Sequence, residues 1–174
     1  MSYTDGKRYE RYKLIDPFCR FFLQFMDKKQ ALSNYWQTRS NSSQVASWRG
    51  YAFEEVCFSH INQIRHALGI SGVSTEVAKW VVQGNDEQQG SQIDMLLDRA
   101  DNIVNICEIK FSNGPYVITK QYDLALRERI QILSSYLPKR KMPHLTFVTS
   151  FGVKHNEYAG VVQSEVTMDD LFKE

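Results

Sequence analysis

The stretch IVNICEIKF at residues 103–111 predicts a buried β-strand that carries two charged side chains. Its β-branched and apolar residues are typical of strands. Glu108 and Lys110 stand two positions apart, so in an extended strand they project from one face, roughly 6.5 Å from each other. Burying charges costs free energy unless they have partners or a chemical task. This pair therefore marks a candidate functional site.

A second carboxylate is expected beside this pair. Residues Ile93–Leu97 predict another strand, and Asp98–Asn102 predicts the tight turn that joins the two strands. An antiparallel hairpin with this turn brings Asp94 alongside Glu108. The predicted site therefore holds two carboxylates and one lysine on one face of a sheet.

Two carboxylates beside a lysine suit the metal-assisted hydrolysis of phosphodiester bonds. Carboxylate oxygens are the ligands that Mg²⁺ prefers, and the ion keeps several waters in its octahedral shell. The metal polarises the phosphoryl group and lowers the pKa of a bound water. The lysine can orient that water and offset charge on the phosphate oxygens. The alternative is a salt bridge between Glu108 and Lys110 on the strand surface, and the sequence leaves both interpretations open.

The remaining sequence predicts an α/β domain built on a mixed central sheet. Asp16–Pro17 is a strong helix start, because Asp caps free N–H groups and Pro fits the first turn. The Ser- and Asn-rich residues 38–47 are expected to form a linker or loop. The expected order is α, α, β, β, β, α, β, β, α, with later helices from Ala46 to Leu68, at 118–134 and from Thr167, and further strands at Val73–Val82, Leu145–Thr149 and Tyr158–Val166.

Four phenylalanines follow the first helix start at helical spacing, namely Phe18, Phe21, Phe22 and Phe25. Such a stripe is typical of a helix face that packs into the core. If the stripe is instead exposed, it favours a protein-binding domain whose N-terminal helix docks a partner. His60, on the apolar face of the second helix, is expected to be a core histidine with satisfied hydrogen bonds.

Composition and charge favour one folded domain with a short appendage. The chain has 174 residues, 43% of them apolar, which excludes a disordered chain. Lys and Arg number 21 against 20 Asp and Glu, so net charge by itself implies no acidic partner. Residues 110–141 contain seven basic and two acidic residues, a local charge of +5. That segment suits a surface facing a polyanion, or else a solvated charged helix.

Cysteine usage and the N-terminus favour a cytoplasmic protein. Cys19, Cys57 and Cys107 are scattered in apolar contexts, without the spacing of a zinc site or a disulfide framework. The polar N-terminal residues do not resemble a signal peptide. No apolar stretch approaches the ~20 residues that span a bilayer. Reduced cysteines and no membrane association are therefore expected.

The residues of the hairpin resemble the PD-(D/E)XK nuclease superfamily. The resemblance rests on Ile93–Asp94, on Cys107–Lys110 and on a preceding helix with GYAFE at 50–54. It implies a restriction-endonuclease-like αβββαβ core around a mixed sheet. One departure is that Ile93, rather than a proline, precedes Asp94.

The superfamily resemblance also implies the roles of the site residues. Asp94 and Glu108 would bind Mg²⁺ or Mn²⁺ together with the carbonyl of Ile109, and Lys110 would assist the nucleophile. Glu54 on the helix that precedes the sheet would join the metal site, and Glu55 is the neighbouring alternative.

Three longer segments are similar to the C-terminal nuclease-like region of bacterial and archaeal AAA-type ATPases. They are YKLIDPFCRFF at 12–22, YVITKQYDLALRERI at 116–130, and residues 144–172. The chain lacks G-x-x-x-x-G-K-[ST], so it is not the ATPase part. The expected organisation is an N-terminal helical extension at 1–45 and a nuclease-like domain at 46–174. In that family a polar residue on the helix after the lysine strand faces the site, and Lys120 and Gln121 are the candidates.

Two functions remain as expectations. The first is a Mg²⁺-dependent nuclease acting on DNA. The second is a non-catalytic module with a nuclease fold, used for DNA binding or for docking to an ATPase. Where nucleic acid is the partner, the expected phosphate contacts are the basic residues Lys120, Arg127, Arg129, Lys139, Arg140 and Lys141.

Overall fold

The computed structural model describes residues 2–3, 14–26, 34–82 and 90–173. Within these residues the chain forms one mixed sheet in which the strands lie in the order β1 to β6. The strands are β1 Ser2–Tyr3, β2 Thr75–Val82, β3 Ser91–Arg99, β4 Ile103–Lys110, β5 Met142–Thr149 and β6 Ser164–Thr167. The helices are α1 Pro17–Phe21 with a π-helical turn at Phe22–Met26, α2 Tyr35–Arg39, α3 Ser43–Ser59, α4 Ile61–Ala67, α5 Lys120–Tyr136 and α6 Met168–Leu171.

Strand pairing confirms the predicted α/β class with a mixed sheet. Strands β2, β3 and β4 pair antiparallel, whereas β4 pairs parallel with β5 and β5 parallel with β6. A parallel neighbour needs a crossover connection, and α5 supplies it between β4 and β5. From α4 to β5 the elements therefore follow the expected helix, three strands, helix, strand order.

Strand β4 is the centre of the domain because both of its faces are buried. On one face Val104 and Ile106 pack in the cluster that contains Leu126 and Leu133 of α5. On the other face Cys107 and Ile109 pack in the cluster that contains residues of α3 and α4. A strand covered on both faces is rich in apolar residues, and residues 103–109 are apolar except for Asn105 and Glu108.

The predicted β-hairpin is present. Strands β3 and β4 pair in a register that runs from Met95 opposite Cys107 to Asp98 opposite Val104. Asn102 closes the turn at φ 67°, a left-handed conformation that Asn tolerates better than most residues. Continuing this register by one residue places Asp94 opposite Glu108.

A β-bulge in β3 lies at the position of Asp94. Ala78 of β2 pairs with Leu96, but Trp80 pairs with Ile93, so two residues of β3 oppose Lys79. A bulge adds an unpaired residue, bends the strand and redirects a side chain. The alternation of side chains therefore changes phase at this point, and Ile93 and Leu96, three positions apart, pack in the same cluster.

The helix predicted from about Ala46 to Leu68 is wrong in its continuity, and it begins three residues earlier than predicted. It begins at Ser43, because the Ser42 side chain accepts a hydrogen bond from the N–H of Val45 at 3.3 Å and caps the helix. It breaks at His60, whose backbone has φ −116° and ψ 32°. The half-buried His60 ring is satisfied, as expected, through Nδ1 and the carbonyl of Val56 at 2.8 Å. The segment predicted as a loop at 38–47 therefore contains a helix start.

The strand predicted at Tyr158–Val166 is mostly absent. The Asn156 side chain accepts hydrogen bonds from the N–H groups of Tyr158 and Ala159, both at 3.0 Å, and bends the chain into a short 3₁₀ turn at Ala159–Val161. Only β6 remains extended. The last predicted helix is confirmed as α6, with Thr167 and Asp170 in a capping box.

The phenylalanine stripe is only half buried, so the prediction that it packs in the core is partly wrong. Phe21 and Phe25 pack against Trp48 of α3 with ring centroids 5.3 and 6.2 Å away. Phe18 and Phe22, on the adjacent helix face, are 67% and 44% exposed. The first helix therefore docks on α3 along one side and presents aromatic rings on the other.

None of the helices within the described residues has the length and apolar character that crossing a membrane requires.

The packing of α5 on the sheet gives a test of the fold. Leu126→Ala should destabilise the protein by ~2–5 kcal/mol, because Leu126 is 1% exposed and its truncation leaves a cavity. The matched control is Leu124→Ala on the same helix, where Leu124 is 59% exposed and a change within about 0.5 kcal/mol is expected. Urea unfolding of the two variants measures the difference, and equal losses would contradict the assigned helix face.

Candidate active site

The three residues predicted at the centre of the site converge in the structure. Lys110 Nζ lies 3.2 Å from Glu108 Oε2 and 3.6 Å from Asp94 Oδ2. The hairpin register and the bulge bring these groups together at one end of β3 and β4. Lys110 therefore bridges two carboxylates that come from different strands.

Asp94 is the accessible carboxylate of the site. Its side chain is 22% exposed, and its Oδ2 accepts a hydrogen bond from the N–H of Ile109 at 3.1 Å. Burial raises the pKa of Asp94, the charges of Glu108 and Glu54 raise it further, and Lys110 only partly offsets them. The surroundings of Asp94 therefore disfavour its ionised form, and ionisation of Asp94 lowers the stability of the folded state.

Glu108 is a fully enclosed carboxylate with a saturated set of partners. Its side chain is 1% exposed, its Oε1 pairs with Arg129 Nη1, and its Oε2 accepts a hydrogen bond from the Tyr122 hydroxyl at 2.8 Å. Burial alone would raise the pKa of Glu108, but Lys110 and Arg129 outweigh it and the pKa is lowered. Glu108 is therefore ionised at neutral pH despite its burial.

Lys110 is a cation rather than a base at neutral pH. Burial alone would lower its pKa, yet Glu108, followed by Tyr122 and Asp94, raises the pKa above the ordinary value. Its Nζ also lies 5.8 Å from the centre of the Tyr122 ring. Lys110 can therefore donate hydrogen bonds or balance negative charge, but it cannot take a proton from water at pH 7.

Two residues of α5 that contact Glu108 escaped the sequence analysis. Tyr122 is not among the predicted site residues, and Arg129 is predicted only as a phosphate contact. They lie seven residues apart, so they share one helix face, and that face covers Glu108. A sequence signal for these two residues does exist. Tyr122 and Arg129 are polar groups spaced to lie on one face of the helix that follows the strand with Glu108.

Gln121, predicted to face the site, lies on the exposed side of α5, as does Lys120. A helix turns about 100° per residue, which follows from 3.6 residues per turn, so Tyr122 takes the facing position instead. Within the part of the chain that the structure describes, no hydrogen bond or ion pair joins Gln121 to the two carboxylates. Its catalytic role stays a prediction.

Glu54 is the acidic residue of α3 that acts on the site. It forms an ion pair with Lys79, the residue opposite the bulge, and its charge raises the pKa of Asp94. Glu55 is buried, and its carbonyl accepts a hydrogen bond from the Ser59 hydroxyl at 3.0 Å. Between the two alternatives left by the sequence, the electrostatics favour Glu54.

The basic residues expected to contact phosphate do not form one surface. Lys120 begins α5, at the end of the sheet where Lys110 lies, whereas residues 139–141 precede β5. Strands β4 and β5 are parallel, with Ile103 opposite Met142 and Lys110 opposite Thr149. Seven residues of strand, ~23 Å, therefore separate the basic loop from the site.

Three of these cations are also neutralised by carboxylates. Arg129 pairs with Glu108, Lys141 with Asp98, and Arg127 with Asp123 at 3.0 Å. Ion pairing reduces the +5 charge that the sequence alone assigns to residues 110–141. Lys120, Lys139 and Arg140 are exposed and remain the best candidates for contact with a polyanion.

The donor chemistry of the site fits a hard divalent cation. No group of three or more His, Cys, Asp or Glu side chains within residues 14–26, 34–82 and 90–173 forms a ready metal cage. Mg²⁺, however, is commonly held by one or two carboxylates together with several waters. Asp94 and Glu108 are two such carboxylates. Beside Lys110, the fully buried Thr149 hydroxyl has no hydrogen-bond partner, so the site has further capacity for a polar group.

Comparison with known proteins gives little beyond the structure itself. Neither a family model nor a curated protein matches the chain. Among solved structures, it is similar to a crystal structure described as that of a protein of unknown function, AF1548. The identity is 19%, the match covers 67% of this chain and 64% of the other, and the TM-score is 0.45. A likeness of this size assigns neither a family nor a function.

The opposite pKa shifts of the two carboxylates predict opposite effects of their amides. The folded-state pKa of Asp94 is raised, so its ionised form costs stability at pH values above that pKa. Asp94→Asn should therefore stabilise the protein at pH 7.5. The gain should shrink as pH falls toward ~3.9, the unfolded pKa, because both states then bind the proton. Urea unfolding between pH 4 and pH 7.5 measures this, and a loss of stability at pH 7.5 would contradict it.

Glu108→Gln should strongly destabilise the protein at neutral pH. The folded-state pKa of Glu108 is lowered, so its contribution is present above the unfolded pKa and is lost as pH falls through the folded pKa. The variant leaves Lys110 and Arg129 without their buried partner, a change that typically costs ~3–5 kcal/mol. The same unfolding series measures the loss, which should diminish toward acid pH.

Proposed function

We propose that the protein is a metal-dependent nuclease that hydrolyses phosphodiester bonds in DNA, with Mg²⁺ or Mn²⁺ as cofactor. The observation that carries this proposal is the position of Lys110 Nζ, 3.2 Å from Glu108 and 3.6 Å from Asp94. The bulge that contains Asp94 supports it, since bulges occur often beside active sites. The resemblance to PD-(D/E)XK nucleases favours the same reaction.

Each residue of the site has a proposed task. Asp94 and Glu108 would hold the metal, and the superfamily resemblance adds the carbonyl of Ile109. When bound, the ion would polarise the phosphoryl group and lower the pKa of a coordinated water. Lys110, which is protonated at neutral pH, would orient that water and offset negative charge on the phosphate oxygens. Tyr122 keeps Glu108 in place through its hydroxyl.

The position of the exposed cations is compatible with an extended nucleic acid. Lys120 lies near the site, and Lys139 and Arg140 lie at the other end of β5. The distance of ~23 Å along the strand corresponds to about seven base pairs of duplex. A DNA segment that contacts both ends would run along α5.

A specific observation favours a second candidate, a non-catalytic module with a nuclease fold. Both oxygens of Glu108 are engaged by protein donors, and the side chain is 1% exposed. A carboxylate in that state is not open to a metal. The exposed rings of Phe18 and Phe22 would suit docking to a partner, such as an ATPase.

The lysine gives the first test of catalysis. Lys110→Ala should reduce cleavage by about 10²–10³-fold, because it removes one positioned donor to the phosphate oxygens. DNA binding should change little and should fall steeply with salt in both proteins. The assay is cleavage of a plasmid and of single-stranded oligonucleotides with Mg²⁺ and then Mn²⁺. The control is Lys173→Ala, since Lys173 is an exposed lysine paired with Asp170 beside α6.

Calorimetry with Mn²⁺ separates the two candidates. A metal-binding heat that is present in the wild type and absent in Asp94→Asn is expected for the nuclease. Equal heats in both proteins would rule out the assigned ligand. A wild type that binds DNA but neither binds metal nor cleaves would favour the non-catalytic module.

A further inference from the structure

Arg129 is the second cation that contacts Glu108. It pairs with Oε1, the carboxylate oxygen that Lys110 and Tyr122 do not contact. Its Nη1 pairs with Oε1, whereas Tyr122 and Lys110 approach Oε2. The arginine comes from α5, whereas Asp94 comes from β3 and Lys110 from β4. Glu108 is therefore shared between the sheet and the helix.

The charges of the site balance without a metal. Two carboxylates, Asp94 and Glu108, face two cations, Lys110 and Arg129. A divalent ion at the carboxylates would add two positive charges to a partly buried space and leave the cluster unbalanced. Like charges in such a space repel strongly, because water screens them little. A metal and the Arg129 guanidinium therefore compete for the same carboxylate.

We propose that Arg129 is a latch on this site: in the metal-free protein its guanidinium occupies Oε1 of Glu108, and it must leave that oxygen for a divalent cation to bind. The inference rests on the proposed function, because it takes Asp94 and Glu108 as the metal ligands. Arg129 is a positioning residue, since it acts through Glu108.

The structure allows Arg129 to leave without unfolding the site. Its side chain is 24% exposed, so the guanidinium has a path to solvent. The Tyr122 hydroxyl, at 2.8 Å, and Lys110 both contact Oε2 of Glu108 and not the Oε1 that Arg129 occupies. Phosphate is the natural alternative partner for a guanidinium, because it accepts the same forked pair of hydrogen bonds. The phosphate group of a bound nucleic acid would therefore draw Arg129 away and open Glu108 to the metal.

The test measures the affinity for Mn²⁺ and Mg²⁺ by calorimetry in the whole chain. Arg129→Gln should lower the dissociation constant about tenfold or more, the scale expected for loss of a competing charge-assisted hydrogen bond. The matched control is Arg127→Gln, because Arg127 is 60% exposed and pairs with Asp123 instead. Its metal affinity should equal that of the wild type.

A thermal readout is independent of activity. Without metal, Arg129→Gln should melt at a lower temperature than the wild type, because Oε1 of the buried Glu108 loses its cation. Added Mn²⁺ should raise the melting temperature of the variant more than that of the wild type. If Arg129→Gln does not fold, Arg129→Met gives the same test, since it keeps an apolar stem against the helix. Arg129→Lys retains the charge and should bind metal within about threefold of the wild type.

The outcomes separate the latch from the proposed function. Equal or weaker metal binding in the neutral variants than in the wild type overturns the latch and leaves the nuclease proposal standing. Absence of metal binding in all the proteins overturns both. Glu108→Gln in the Arg129→Gln background should remove the gain in affinity, and a gain that persists places the ion elsewhere and overturns the latch.

Discussion

The burial of one ionised carboxylate, Glu108, constrains most of the domain. An uncompensated charge at 1% exposure would cost several kcal/mol, so its partners must be held in place. Lys110 comes from the same strand, and Tyr122 and Arg129 come from the helix that crosses from β4 to β5. Helix α5 must therefore dock on the sheet in one register. The apolar contacts of Leu126 and Leu133 stabilise that docking, and the charge cluster selects its position.

The two carboxylates of the site have opposite relations to stability. The fold stabilises the anion of Glu108 and lowers its pKa, whereas the surroundings of Asp94 disfavour its anion and raise its pKa. Pairs of acids whose environments separate their pKa values are typical of sites with a chemical task. A purely structural ion pair would gain nothing from a second carboxylate whose pKa is raised. The asymmetry is therefore the electrostatic feature that best distinguishes this cluster from an ordinary salt bridge.

The sequence predicts the sheet well because strand pattern and turn chemistry are local signals. The hairpin around Asn102 and the helix between β4 and β5 follow directly from them. Contacts of the site that depend on packing were not predictable in this way. Tyr122 resembles any aromatic residue of a core stripe, and Arg129 resembles any surface cation, until the docking of α5 is known. The helix break at His60 could not be predicted either, because no proline or glycine lies near it in the sequence.

The bulge in β3 has a consequence for the recognition of relatives by sequence. Because Asp94 and Met95 together oppose one residue of β2, alternation of inward and outward side chains changes phase within the strand. The phase change lies against β2, whereas the register of β3 with β4 runs without a shift from Asp98 to Met95. Relatives with and without the bulge can therefore share the spacing between this aspartate and the E-x-K motif, while the spacing from β2 to the aspartate differs by one residue.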